Sequence, residues 1–510
     1  MRIHPCRRAT PSVLCAVALS LSLASCHRGV DQRLLVVGFD GHPLALDPHH
    51  KNEAVTWSVL SNFYDGLVRF SPDLQLEPAL AESWEQPDAT HWRFHLRKNV
   101  RFQHGEPFRA ADVVASFERA RNDPQSGIRH YMLGVTRMTA VDDLTLVVAT
   151  DGPRPTLLNR LVFLLVVSAN DAKLRVITEP NGTGPYRVVR HDGPDSLLLE
   201  GWSGWRGMPP IRHVKLVFSE DDEDLFKRFL HGEIDVLRHI SQDRLGDLKD
   251  STHVRAEPQP LLYIQMLAVS TAGGETEGVR ALSDVRVRRA ILLGCDRQAW
   301  VDTVFRGEAI VASQYVHPVV FGYDTTITPQ PYDPQKAREL LAQAGYAAGL
   351  DLPIDCAPPQ QVLVSPLAAE LARIGIRLTP HLFDWDQLIT RMRDGKSVLG
   401  MFAWACSTGD ASDFLTACVH SPSETTGLGH DNYAHFRDAK VDTLIEGAER
   451  ELDGGQRLRL LQETQRRTLQ ELPYLPLTAR WAFLGASDRV DVVTRHDQWL
   501  WIAAYRWRAH

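Results

Sequence analysis

HWRFHLRKNVRFQHGEPFRAADVV, residues 91–114, opens on the plainest strand signal in the chain. Over 91–97 apolar Trp92, Phe94 and Leu96 alternate with polar partners. Successive side chains of a strand leave opposite faces, so the alternation predicts a strand with one face buried. Leu144, Leu146 and Val148 repeat the pattern, residues 34–37 read as a buried first strand, and apolar 161–168 reads as another. Helix signals stand between them. Asp296 offers a side-chain oxygen as a cap, Trp300, Val301, Val304 and Phe305 share one face, and Gly307 is a stop. Asp333-Pro334 pairs a capping acid with a proline at the first turn; Ala337, Leu340, Leu341 and Ala344 then line one face before Gly345. The acidic run 221–224 reads as a solvated helix start, where negative charge meets the helix dipole. Strands and helices mix throughout with no repeat and no long low-complexity linker, which gives an α/β body whose domain borders composition does not mark.

The head of the chain is different. Arg2, Arg7 and Arg8 precede an apolar run, residues 13–23, and Leu23-Ala24-Ser25-Cys26 closes it. A basic head, a short apolar run and small residues before a cut read as an export signal. Eleven residues are too few to span a bilayer as a helix, and no later apolar run is longer. The cysteine just after the small residues makes the segment resemble a bacterial lipoprotein signal. That resemblance implies cleavage before Cys26, lipid on Cys26, and a body tethered to a membrane outside the cytoplasm. The alternative is an ordinary secretory signal that contains a cysteine. Removing residues 1–25 takes three arginines and no acid from a chain of formal charge −7, leaving −10. That mildly acidic balance argues against a nucleic-acid partner. Cys6 and Cys15 leave with the signal; Cys295, Cys356, Cys406 and Cys418 remain, and four cysteines allow three connectivities.

Motifs for catalysis are missing. There is no His-Glu-x-x-His, no phosphate loop with its lysine, no Gly-x-Ser-x-Gly elbow and no Cys-x-x-Cys. Asn181-Gly182-Thr183-Gly184-Pro185 is glycine-rich, but Pro185 stands where a phosphate loop needs an amide donor, so it reads as a tight turn before a strand at 186–189. His49 and His50, with His42 nearby, suggest a metal set, yet adjacent side chains on a strand point to opposite faces. No metal and no cofactor is expected.

Several stretches together resemble the family 5 extracellular solute-binding proteins of bacterial ABC importers, the dipeptide- and oligopeptide-binding group. These are Leu80-Ala81-Glu82-Ser83-Trp84, the run from Phe94 through Phe102-Gln103-His104-Gly105-Glu106-Pro107-Phe108 to Asp112-Val113, Gly182-Thr183-Gly184-Pro185-Tyr186, Asp284-Val285-Arg286-Val287-Arg288-Arg289-Ala290, and Tyr332-Asp333-Pro334. They occur in the family's order along 34–505. The resemblance implies a two-lobed periplasmic-binding-protein fold, class II-like with an extra domain, and a cleft between the lobes. It implies a signal peptide at 1–25 and a tether at 26–33. The first lobe would comprise 34–68, 180–275 and 480–510, with the extra domain at 69–179 and the second lobe at 276–479. It implies a monomer that closes over a peptide or peptide-like ligand and hands it to a permease with ATPase subunits, itself catalysing nothing. A different ligand on the same fold, such as a metal chelate or an oligosaccharide, a sensor role, or an extracytoplasmic hydrolase are the competing readings.

The family holds a peptide by backbone hydrogen bonds, like an added strand, and pairs its ammonium with an aspartate. Trp84, Phe94 and Phe102 are then scaffold. In Phe402-Ala403-Trp404-Ala405-Cys406-Ser407-Thr408-Gly409-Asp410-Ala411-Ser412-Asp413-Phe414, the residues Trp404, Gly409, Asp410 and Phe414 match in register, while the ammonium-binding position falls on Ser407. Trp404, Ala405, Cys406, Ser407 and Asp410 are therefore the candidate contacts on the second lobe. Asn52, Glu53 and Ala54 are those on the first. A buried ammonium without a carboxylate is costly, so Asp410 or another acid takes the role, or the ligand lacks a free amino terminus.

Overall fold

The computed structural model describes residues 33–249, 251–271 and 273–509. The signal segment 1–25, Cys26 and the tether up to residue 32 lie outside these. Two long strands organise the rest. Val254–Val269 and Tyr474–Ser487 run antiparallel, and their pairing slips between Pro260 and Ile264 and again between Gln265 and Met266. Proline has no amide hydrogen to give a ladder, and Met266 lies opposite Pro476, so both slips fall beside prolines. One half of the pair joins a core with Leu225, Phe226, Phe229 and Ile240 through Val254 and Phe483. The other half joins a second core with Ile291, Trp300, Leu352 and Leu367 through Leu267, Leu475 and Leu477. The pair is thus shared between the two halves of the molecule, and its irregular middle lies between them.

Around it the strands form one mixed sheet. Its order is Ile376–Leu382, Leu350–Cys356, Leu399–Ala405, Val254–Val269, Tyr474–Ser487, Val236–Leu237, Leu34–Asp40, His213–Ser219, Ser196–Gly201 and Tyr186–His191, with Ala309–Val311 added against Tyr474–Ser487. A separate antiparallel sheet takes Ala81–Asp88, His91–Leu96, Thr145–Thr150 and Val135–Asp142 in that order. The opening stretch behaves as its alternation requires: Trp92, Phe94 and Leu96 are buried and their neighbours exposed. Asp296, Asp333 and Asp221 each cap their helices, accepting from the amides of Ala299, Lys336 and Asp224.

One local reading changes, and the strand expected after Pro185 is present as Tyr186–His191. The apolar stretch 161–168 is buried, but it is no sheet strand: a helix, Leu157–Leu161, leads into an irregular chain. Its first amides bond back to backbone carbonyls, and side chains from elsewhere anchor its end. Ser116 Oγ accepts from Val167 N (3.0 Å), His49 Nε2 meets Leu165 O (2.9 Å) and Asp112 Oδ1 accepts from Ala169 N (2.8 Å). The glycines of 182–184 answer to close approach. A Cβ on Gly182 would sit 2.0 Å from Phe63 O, and one on Gly184 2.5 Å from Phe63 C. The quoted 91–114 stretch locks onto the same place. Gln103 Nε2 donates to Phe63 O (3.1 Å) and Tyr186 O (2.6 Å), and His104 N donates to Asn181 Oδ1 (2.9 Å). Two of the family-like motifs are therefore halves of one joint.

Cys295, Cys356, Cys406 and Cys418 are buried free thiols. No helix among the described residues is long and apolar enough to cross a membrane.

Candidate functional site

The strand Leu399–Ala405 pairs with the long strand so that Trp404 lies opposite Ile264 and Ala405 opposite Tyr263. It therefore ends beside the irregular middle of the long pair, between the two halves of the molecule. The loop that follows turns on Gly409, whose φ of +69° favours glycine and whose amide donates to Cys406 O (2.9 Å). Phe321 then holds it through two backbone bonds, donating to Gly409 O (3.0 Å) and accepting from Ala411 N (2.8 Å).

The candidates on this loop part company. Asp410 is buried and both its oxygens face Arg457, at 2.5 and 2.8 Å, while one also accepts from Ser412 N at 2.9 Å. Burial works against the charge of Arg457, but the bonds and charge of Asp410 lift its pKa above the ordinary value. Cys406 is buried, and burial with the nearby Asp413 raises its thiol pKa well above the usual range. Trp404 and Ala405 are half-buried and Ser407 is exposed.

Asp413 lies on the same loop, beside these candidates. Its carboxylate accepts from Trp404 Nε1 (3.2 Å), Thr408 N (3.3 Å) and Thr408 Oγ1 (3.0 Å). Burial raises its pKa, against the pull of those bonds and of the charge of Arg160. Arg160 belongs to the facing wall. Its neighbour Asn159 donates to Thr408 O (2.7 Å), and Arg160 itself lies 3.6 Å from Glu449. Tyr131, stacked at 4.0 Å on Phe163, completes this wall. Burial, reinforced by the charge of Asp413, raises its hydroxyl pKa, while a hydrogen bond to Asn52 opposes the rise. Asn52 is thus linked to the Asp413 side through Tyr131. Glu53 caps a helix through Oε1, accepting from Thr56 N (3.0 Å), while its Oε2 is buried without a hydrogen-bond partner, and exposed Ala54 starts the helix.

The histidines near Asn52 serve separate partners: His42 meets Asp195 (3.0 Å), His50 meets Asp123 (3.1 Å), and His49 sits between Leu165 O and Arg119 at 2.9 Å each. Burial pushes His49 down to about 4, so it is neutral at pH 7. Among the described residues no three His, Cys, Asp or Glu side chains are grouped to hold a metal ion. Tyr131, Asn159, Arg160 and Glu449 had no local sequence signal. Asp413 had one, a carboxylate one helical turn past Asp410 in the stretch already singled out.

The model of the bacterial extracellular solute-binding proteins, family 5 middle, matches residues 75–425. Heme-binding protein A of Haemophilus influenzae is 26% identical over 488 residues, covering 88% of this chain and 87% of that protein. Di/tripeptide-binding protein 2 of Pseudomonas aeruginosa is 26% identical over 484 residues, covering 87% and 89%. Among solved structures, HbpA2 from Haemophilus parasuis superposes with a TM-score of 0.82 at 23% identity, over 94% of this chain and all of the other, and so shares the fold. That fold is the two-lobed α/β architecture of periplasmic binding proteins. Matched over more than half its length, the chain belongs to the bacterial extracellular solute-binding proteins of family 5.

Proposed function

We propose that this protein is the solute-capturing component of an ABC importer and that its solute is a peptide or peptide-like molecule. The observation that carries the reading is the family match over 75–425, which spans both the extra sheet and the Trp404 loop. The relative from Pseudomonas aeruginosa, named for di- and tripeptides, aligns along nearly the whole chain and supports the ligand class. The first lobe comprises 34–68, 180–275 and 480–510, the extra domain 69–179, and the second lobe 276–479. Asn52 and Ala54 meet the ligand from one side; Trp404, Ala405 and Ser407 meet it from the other, where the peptide backbone hydrogen-bonds as an added strand would. A ligand that touches both walls binds the closed form better and shifts the population toward it. The permease and its ATPase subunits do the transport work, and this chain performs no chemistry. It acts outside the cytoplasm, held to the membrane by lipid on Cys26.

Native and denaturing mass spectrometry of the protein purified from membranes tests both parts. A retained peptide and an N-terminus heavier than free Cys26 by acyl groups are expected, with Cys26→Ser released from membranes or unprocessed. Acyl chains contribute about 0.8 kcal/mol per buried methylene, so two or more anchor firmly. A retained metal chelate, porphyrin or sugar would keep the capture role and replace the peptide. An unmodified Cys26 would remove the anchor.

A further inference from the structure

Two cavities meet at Asp65, which lines both. An inner one of about 40 Å³ is walled by Trp57, Arg69, Trp499 and Trp501, and an outer one of about 400 Å³ by Arg97, Lys98, Trp205 and Arg206. None of their residues is a candidate contact of the captured solute. The walls are built from guanidinium groups laid on indoles. Arg69 Cζ lies 4.1 Å from the Trp501 ring centre and Arg206 Cζ 4.7 Å from that of Trp205, and the two rings meet edge to face at 6.1 Å. Trp57 stacks on Trp499 at 5.3 Å. Asp65 accepts from both Nη atoms of Arg206, at 2.9 and 3.3 Å, and Glu77 accepts from Arg69 Nε at 3.0 Å.

Three donors on these walls are left over. Arg69 Nη1, Trp57 Nε1 and Trp205 Nε1 are buried without a hydrogen-bond partner, and Trp57 is only 2% exposed. A buried donor with no acceptor is costly, and more so when it carries charge. Burial and the charge of Arg206 lower the Arg69 pKa, so Glu77 does not fully compensate this guanidinium. In the outer cavity Arg97 Nε donates only to Ala79 O, at 2.6 Å. Arg97, Lys98 and Glu82 line it without an ion pair among the described residues, which leaves one positive charge in excess.

We propose that these cavities bind a small polar carboxylic acid, its carboxylate against Arg69 Nη1 and Trp57 Nε1 and its body in the outer cavity. The inner cavity of about 40 Å³ has room for roughly three water-sized groups at ~10–15 Å³ each. A planar carboxylate has three heavy atoms and fits; a tetrahedral phosphate has five and does not. A guanidinium and an indole N–H are matched donors for such a group. The site is independent of the capture role. Its occupant braces the strand Val68–Phe70 and the turn at 202–206 against the C-terminal segment that carries Trp499 and Trp501.

Thermal melting and calorimetry on the full chain in detergent, with succinate, inorganic phosphate and chloride at equal ionic strength, test this. Succinate is expected to raise the melting temperature above its value in chloride and to bind in calorimetry. Arg69→Gln should weaken that binding roughly ten- to a hundredfold, and Trp57→Phe, which keeps a stacked ring and removes the N–H, about tenfold. Melting curves without ligand verify that the variants fold; should Arg69→Gln not fold, Trp57→Phe decides alone. Succinate that behaves as chloride does, as it would if the cavities hold water only, overturns the proposal. Phosphate that binds as tightly as succinate overturns it too, as does succinate affinity undiminished in the folded variants.

Discussion

Asp410→Ala is expected to lose about 3–5 kcal/mol of folding stability while its folded fraction still binds solute. Removing one partner of a buried ion pair leaves the other charge desolvated and unpaired. Arg457 is buried, its other contacts being Ala448 O at 3.0 Å and the ring of Phe321 at 5.5 Å, and neither replaces a carboxylate. The loss is large beside the 5–15 kcal/mol that holds an ordinary domain together. Urea unfolding followed by tryptophan fluorescence measures it, and calorimetry on the same samples at low urea reads binding. A variant as stable as wild type that no longer binds would return the ligand to Asp410.

Gly182→Ala is expected to cost at least about 3 kcal/mol, at the upper end of what overpacking does. The added Cβ would meet Phe63 O at 2.0 Å, with the Tyr64 ring at 2.7 Å. The Phe63 carbonyl cannot retreat without breaking its bonds from Gly184 N (2.9 Å) and Gln103 Nε2 (3.1 Å). The joint between the 91–114 stretch and residues 181–186 opens as a unit. Limited proteolysis should cut the variant at low protease while wild type stays intact; equal resistance would mean that the joint tolerates a side chain.

These two residues also mark where the sequence stopped being readable. Alternation at Trp92, Phe94 and Leu96 and the caps at Asp221, Asp296 and Asp333 were legible because strand faces and helix ends are local. The 161–168 stretch departs from a strand because apolar content shows burial alone, while its first amides turn back on Leu158, Arg160 and Leu161 and its end is anchored by Ser116 and His49 from elsewhere in the chain. Gly182 looked like a turn former because no sequence window shows the backbone of Phe63 behind it. Asp410 looked available because its partner stands 47 residues away. Arg160 stands just ahead of the apolar run 161–168, and only the fold brings its charge near Asp413. The motifs carried the architecture, then, while the electrostatics of the site depend on pairings that topology alone creates.

Capture is expected to proceed by closure around the middle of the long strand pair. Small-angle scattering of the full chain in detergent, contrast-matched, with and without the solute recovered from the protein, tests it. A compact chain of this length has a radius of gyration of about 23 Å. Closure predicts a smaller radius at saturation and a return to the larger one when the solute is removed. An identical radius in both states, with binding confirmed in the same sample, would contradict it.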